Sequence, residues 1–123
     1  MGRMWLIAAA ILGFAAVALG AFGAHGLKQV LVGYSREIYE KAVLYQMFHT
    51  LALLAVGILE YQHPHLSLTP AGWAFVTGVV LFSGSLYALA LTGLKWLGAI
   101  TPLGGLAFLL GWIWLAYVLL KER

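Results

Sequence analysis

The stretch AVLYQMFHTLALLAVGILEY, residues 42–61, decides the fold class of this chain of 123 residues. A helix needs roughly 20 mainly apolar residues to cross the hydrocarbon core of a bilayer, and this stretch has that length and character. Residues 4–24, 71–93 and 96–120 meet the same requirement. We therefore predict an all-α integral membrane protein, an antiparallel bundle of four transmembrane helices in which residues 1–123 form a single domain.

The composition agrees with a chain that is surrounded mainly by lipid. Hydrophobic residues make up 63% of the sequence and charged residues only 9%, whereas a soluble domain carries about 25% charged residues. The chain has no cysteine, which excludes disulfides and thiolate ligands. Its net charge of +3 forms no basic stripe with interleaved aromatics. We predict membrane lipids as its surroundings and no nucleic-acid partner.

A polar connector, KQVLVGYSREIYEK at residues 28–41, separates the first two predicted spans. We expect Ser35 to cap a helix that begins at Arg36 and continues directly into the second span. Ahead of Gly33, the spacing of the apolar residues predicts a short amphipathic turn at the membrane interface. Whether this connector lies in the interface or re-enters the membrane stays open.

Two Thr-Pro pairs mark the beginnings of later helices. Thr69 and Thr101 each precede a proline, a pattern that predicts a threonine N-cap with proline at the first helical position. If Pro102 opens the fourth helix, residues 95–101 form an apolar loop. Otherwise Pro102 kinks a longer helix.

The number of spans and the basic residues give an orientation. Four spans place both termini and the loop around His63 on one side, and the long connector on the other. Lysines and arginines are slightly more numerous on the connector side, and cytoplasmic loops carry an excess of such residues. We predict the connector in the cytoplasm and both termini outside.

Small residues at helical spacing lie on three of the predicted spans. They are Ala9, Gly13, Ala16, Gly20 and Ala24 on the first, Ala74, Gly78, Ser85, Ala88 and Thr92 on the third, and Gly104, Ala107 and Gly111 on the fourth. Helices in lipid associate mainly where small residues let their backbones approach closely. These faces predict tight packing within the bundle. They are equally candidates for contacts in a homo-oligomer or with another membrane protein.

The strongly polar residues of the second span share one face. Gln46, His49 and Glu60 fall on a single helical stripe, and Tyr45 flanks it. A polar side chain facing lipid is costly, so this stripe should face the bundle. With His25, at the end of the first span, the candidate ligand-binding residues are His25, Tyr45, Gln46 and His49.

The two histidines permit two interpretations. Histidines on neighbouring helices can hold haem or a transition metal. Alternatively, His49 hydrogen-bonds a carbonyl or Gln46, and His25 stabilises the C-terminal end of its helix. We favour the second interpretation and predict no metal site and no cofactor. A second group, Glu60 with His63 and His65, is expected at the opposite membrane face.

No motif in the sequence predicts catalysis. Ser83 and Ser85 follow no strand and have no evident base, so they do not form a nucleophile elbow. Hydroxyls in a span usually bond the carbonyl of the preceding turn instead. The pair Gly104 and Gly105 lacks the context of a phosphate-binding loop. We predict no catalytic residues and no enzyme.

Four motifs, GAFGAHGL, YEKAVLYQMFHTLALL, FSGSLYALALTG and LGAITPLGGLAFLLGW, together resemble the YgdD-like family of small bacterial inner-membrane proteins. The resemblance covers nearly the whole chain. It implies four spans, a multi-pass location in the bacterial inner membrane and an uncharacterised role. The family pattern points to His25, Tyr45, Gln46, His49, Ser83, Gly84, Ser85, Tyr87, Thr101, Pro102, Gly104, Gly105, Gly111 and Trp112.

Three functions remain open from the sequence. The first is a structural or regulatory interaction protein, which is indicated by the small-residue faces and the lack of buried charge. The second is a small oligomeric transporter or channel that uses the polar stripe of Gln46 and His49. The third is a haem-, metal- or quinone-binding protein that acts through His25 and His49.

Overall fold

The computed structural model describes residues 1–122 and contains no strand in that range. The α-helices are α1 (Gly2–Ala24), α2 (Tyr34–Gln62), α3 (Thr69–Gly78), α4 (Gly84–Thr92) and α5 (Thr101–Lys121). A π-helical turn, Val79–Ser83, joins α3 and α4 into one rod, and a 3-10 helix, Lys95–Ala99, precedes α5. Four helical segments are long and apolar enough to cross a membrane. The predicted all-α fold with four spans is confirmed.

Helix α2 extends well beyond the second predicted span. It begins at Tyr34 and runs without a break to Gln62, so the connector helix does continue into the span, as predicted. Its start was predicted two residues too late. Ser35 lies inside the helix and does not cap it. Instead, Gly33 adopts a φ of +55°, a conformation open to glycine without steric cost, and this turns the chain into α2.

Helices α3 and α5 begin at the Thr-Pro pairs, but the threonines are not N-caps. Thr69 and Thr101 are the first helical residues, and no side chain caps either helix. Both hydroxyls are used in tertiary contacts instead. The Thr69 hydroxyl donates to Oε2 of Glu60 at 3.0 Å, and the hydroxyls of Thr101 and Ser85 lie 2.6 Å apart. Pro102 opens α5, and the segment before it is largely 3-10 helix and not the predicted loop.

The two ends of the chain meet the loop between α2 and α3. Met1 and Glu60 border the same cavity at this end of the bundle. The indole N–H of Trp114 donates to the carbonyl of Ser67 at 2.7 Å. These contacts confirm that both termini and this loop share one side. The side of the membrane on which they lie stays a prediction.

Glycines allow the closest approach between α5 and the rod formed by α3 and α4. A Cβ added to Gly104 would collide with the backbone nitrogen of Phe82, and one added to Gly78 with the ring of Phe108. A Cβ on Gly111 would lie 2.6 Å from the Phe75 ring. On these helices the glycines of the small faces therefore pack within the chain, as predicted, whereas Thr92 at the end of α4 is exposed.

The small face of α1 packs less uniformly. Ala9 and Ala16 are buried, whereas Ala24 is exposed. A Cβ on Gly20 would lie 3.4 Å from Val43, which is close to ordinary contact. Two other glycines of α1 are tighter. A Cβ on Gly2 would lie 2.5 Å from the backbone nitrogen of Tyr61, and one on Gly23 would collide with the ring of Tyr39. Close packing between α1 and α2 therefore occurs at both ends of this helix pair.

Candidate functional site

The polar stripe of α2 faces the interior of the bundle. Gln46 is 3% exposed, His49 4% and Glu60 7%. This is the orientation that their helical spacing predicts, because a polar side chain that faces lipid finds no hydrogen-bond partner there. Each of these side chains has found at least one such partner within the protein.

Gln46 connects three helices through its side-chain amide. Its Nε2 donates to the carbonyl of Leu12 on α1 at 2.9 Å. Its Oε1 accepts from the hydroxyl of Tyr87 on α4 at 2.6 Å. The carbonyl of Leu12 also belongs to the helical backbone, so the amide uses a lone pair that α1 leaves free. Gln46 therefore acts as a polar crosslink between α1, α2 and α4.

His49 uses both ring nitrogens. Its Nδ1 lies 2.9 Å from the carbonyl of Tyr45, which can only accept, so Nδ1 carries the proton. Its Nε2 accepts from the indole N–H of Trp112 on α5 at 3.0 Å. Indole nitrogen is a donor only, which requires an unprotonated Nε2. The two bonds together define a neutral imidazole in the Nδ1–H tautomer.

Aromatic rings enclose this imidazole. The ring of Phe108 stacks on it at a centroid distance of 3.5 Å and an interplanar angle of 7°. The rings of Phe48, Phe75 and Trp112 lie at 5.1, 5.7 and 5.9 Å. His49 is thus held among apolar rings with its hydrogen-bonding capacity filled. Ring packing and two hydrogen bonds hold the His49 side chain in one orientation between α2, α3 and α5.

Tyr45 lies beside this interior at the edge of a lipid-facing groove. Its ring contacts Phe82 at 4.5 Å, and 38% of the residue is exposed. Among residues 1–122 its hydroxyl makes no hydrogen bond. The groove is a cavity of about 430 Å³ between α2 and α5, and its walls include Phe48, Phe108 and Trp112. Tyr45 places a free hydroxyl beside an apolar space.

His25 lies apart from the other candidate residues. It follows the last residue of α1, where its backbone N–H donates to the carbonyl of Ala21, and it is exposed. It is not among the rings that surround His49. The structure brings Tyr45, Gln46 and His49 together in the middle of α2 and leaves His25 at the C-terminal end of α1.

Tyr87, Ser83 and Trp112 are the partners that motif reasoning did not assign. Tyr87 and Trp112 bond Gln46 and His49. The Ser83 hydroxyl donates to the carbonyl of Ala42 on α2 at 2.7 Å, and not to the preceding turn as expected. The Ser85 hydroxyl does bond the preceding turn, at Phe82. All three partners occur in the family pattern noted above, which was the one available signal.

Glu60 forms a separate polar group at the terminal end. Its Oε2 accepts from the backbone N–H of Leu68 at 3.2 Å and from the hydroxyl of Thr69. Its Oε1 is buried without a hydrogen-bond partner in the described chain. His65 contacts Glu122 instead, at 3.0 Å, so the predicted group of Glu60 with His63 and His65 does not form one site. Glu60 stabilises the loop that leads into α3.

Residues 19–105 match the family described as "Protein of unknown function (DUF423)". The chain belongs to this family. No solved structure matches it.

Curated relatives extend the similarity to the whole chain. A UPF0382 membrane protein of Haemophilus influenzae is 43% identical over 124 residues, covering 100% of this chain and 98% of the relative. YwdK, a UPF0382 membrane protein of Bacillus subtilis, is 43% identical over 97% of this chain and 98% of its own length. A relative in Staphylococcus haemolyticus is 46% identical over 92% of both chains.

These relatives are bacterial membrane proteins by name, and the chain has four helices able to span a membrane. This DUF423 protein is therefore a multi-pass bacterial membrane protein of uncharacterised role. The family expected from the resemblance is confirmed at this level, whereas the narrower YgdD-like assignment stays a prediction.

Proposed function

We propose that this protein is a structural or regulatory interaction protein of the bacterial inner membrane, without enzymatic activity. The observation that carries the proposal is that Gln46 and His49, the two stripe residues in the middle of α2, are fully hydrogen-bonded to other parts of the chain. Gln46 bonds two other helices, and both ring nitrogens of His49 are bonded. Polar groups used in this way hold spans together in lipid. They are not displayed for a substrate.

The transporter alternative has less support from this geometry. A carrier that couples to ions needs an ionisable group that faces an aqueous path and can change its partners. Glu60 lies at the rim, where it is bonded to the start of α3. Protonating His49 would place two donors, Nε2–H and the Trp112 indole, against each other. Moving a proton through His49 would therefore disturb the packing of α5.

The cofactor alternative also has less support. A metal or haem iron needs the lone pair of an imidazole nitrogen. In His49 that lone pair already accepts from Trp112. His25 is exposed and does not contact this ring. An interaction surface is better placed in the groove between α2 and α5, because the small residues of α3 and α5 are occupied within the chain.

Flux and stability measurements separate these functions. We would reconstitute the wild-type protein and His49→Leu in vesicles that contain a pH-sensitive dye, and record thermal unfolding of both in detergent. We expect proton flux equal to that of empty vesicles for both proteins, and a lower melting temperature for His49→Leu. Gln62→Leu, at an exposed position outside the stripe, serves as the matched control for stability.

A proton flux that requires the wild-type protein, and that His49→Leu abolishes while melting is unchanged, would establish transport and overturn the interaction role. A visible absorbance band in the purified protein that is lost in His49→Leu would do the same in favour of a cofactor.

A further inference from the structure

We infer that the groove between α2 and α5 binds one phospholipid with a zwitterionic, primary-amine headgroup, of the phosphatidylethanolamine class. The inference rests on the proposed interaction role and names the partner at that groove. Two neighbouring cavities of different chemistry carry it. One is the apolar groove described above, and the other is a polar cavity at the beginning of α2.

The groove suits a hydrocarbon chain. Its volume of about 430 Å³ lies in the range of small-molecule sites, roughly 300–1,000 Å³. The side chains of Phe48, Phe108 and Leu109 form its apolar walls. Gly105 also lines the groove and has no side chain that would fill it. A Cβ at Gly105 would approach no neighbour more closely than 3.9 Å. Since bilayer lipid surrounds this face, an acyl chain is the group that reaches the groove first.

The polar cavity suits a zwitterion. It has a volume of about 420 Å³, and its lining includes two cations and two carboxylates. Arg36 and Glu40 are paired with each other at 3.2 Å. Lys41 and Glu37 have no ion-pair partner within residues 1–122. One free ammonium and one free carboxylate on neighbouring turns complement the phosphate and the primary amine of an ethanolamine headgroup.

Leu44 lines both cavities, so the two spaces are neighbours along α2. The order of groups along this helix matches the order of groups in a phospholipid. Tyr45 lies one turn, roughly 6 Å, from Lys41, and His49 lies roughly 12 Å from it. Half of the hydrocarbon core is roughly 15 Å thick. A headgroup at Lys41 therefore puts a chain beside Phe48 and Trp112 within one leaflet.

Tyr45 supplies the contact between these two parts. Helical side chains lean toward the N-terminus of their helix, which directs the Tyr45 ring toward the level of Lys41. Its hydroxyl has no acceptor among the described residues. The ester carbonyls of a phospholipid lie just below the phosphate and are acceptors. We assign to Tyr45 a hydrogen bond to one of these carbonyls.

The charged cavity distinguishes a lipid from a second protein. A transmembrane helix or a second copy of this chain would fill the apolar groove, but its apolar surface would offer neither a phosphate to Lys41 nor an amine to Glu37. An amphiphile satisfies both spaces at once. The match of one free cation and one free anion also favours an aminophospholipid over an anionic lipid that has no amine.

Native mass spectrometry of the delipidated full-length protein tests the site. Increasing amounts of palmitoyl-oleoyl phosphatidylethanolamine would be added, and the first bound lipid would be quantified. Gly105→Leu should weaken this binding about tenfold, because its side chain takes the place of the lipid chain. Gly84→Leu is the matched control, since a Cβ there meets nothing within 4 Å and Gly84 does not line the groove.

The headgroup and ester contacts are tested with smaller changes. Tyr45→Phe should weaken binding about fivefold through the loss of one hydrogen bond. Glu37→Gln should reduce the preference for phosphatidylethanolamine over phosphatidylglycerol without changing the affinity for the latter. Thermal unfolding in detergent alone checks that each variant remains folded.

Three outcomes would overturn the inference. The first is equal lipid binding by Gly105→Leu and Gly84→Leu. The second is equal binding of phosphatidylethanolamine and phosphatidylglycerol by the wild-type protein. The third is a dimer of the wild-type protein that occupies the groove and that Gly105→Leu abolishes. The last result would leave the interaction role intact with a protein partner. Ion flux through the wild-type protein, by contrast, would remove the interaction role itself.

Discussion

Helix α2 and helix α5 are attached to the rod of α3 and α4 in different ways. Between α2 and the rod, side-chain hydrogen bonds join Tyr87 to Gln46 and Ser83 to Ala42. Between α5 and the rod, glycines meet aromatic residues, most closely at Gly104 and Phe82. A hydrogen bond lost in a membrane protein costs a fraction to a few kcal/mol, whereas added atoms in a close contact force helices apart. The two interfaces should therefore respond very differently to substitution.

The largest effect is expected where the backbones are closest. Gly104→Ala should destabilise the protein by about 3 kcal/mol, because the new Cβ meets backbone atoms of Phe82 that cannot move aside. The measurement is thermal or denaturant unfolding in detergent. Gly105→Ala is the matched control one residue away, where the nearest side-chain atom is 3.9 Å distant. Equal melting temperatures for the two variants would contradict close packing at Gly104.

An intermediate effect is expected at the polar crosslink. Gln46→Leu should cost about 1–2 kcal/mol, since it leaves the buried Tyr87 hydroxyl without an acceptor. Combining it with Tyr87→Phe should cost less than the sum of the two single changes. A double-mutant cycle on unfolding free energies measures this coupling. Strict additivity would show that the hydrogen bond between these residues contributes nothing.

The smallest effect is expected at the bond between α2 and α5. Trp112→Phe keeps an aromatic ring but removes the donor to Nε2 of His49. Interhelical hydrogen bonds in lipid average about 0.6 kcal/mol, so a small decrease in stability is expected. Trp73→Phe, at an exposed position, controls for the exchange of indole for phenyl. If Trp112→Phe lowers the stability several times more than Trp73→Phe does, the hydrogen bond between Trp112 and His49 contributes more than this average.

Features that depend on one helix were predictable from the sequence. The spacing of Gln46, His49 and Glu60 fixed the buried face of α2, because a 3.6-residue period leaves these residues no other common side. The bond of His49 to the preceding turn is of the same local kind. The four spans followed from length and apolar character alone.

Features that depend on how helices cross were not predictable. Trp112 is 63 positions from His49, and their contact exists only because α5 crosses α2 at that depth. The threonines of the Thr-Pro pairs look like caps in isolation, but tertiary acceptors compete for their hydroxyls. His25 was a candidate because it resembles His49 in type. The helical stripe predicted that His49 would be enclosed, but no comparable pattern indicated whether His25 would be exposed.

The π-helical turn at Val79–Ser83 changes the angular phase of the third span. Each residue of an α-helix advances the rotation by about 100°, so one extra residue in a turn shifts all later side chains by that angle. Gly78, just before this turn, faces α5, and Ser83, at its end, bonds α2. Deleting Val80 would restore a regular helix and rotate Gly84–Thr92 away from its present neighbours. The π-helical turn thus sets the rotational register between the two halves of the third span.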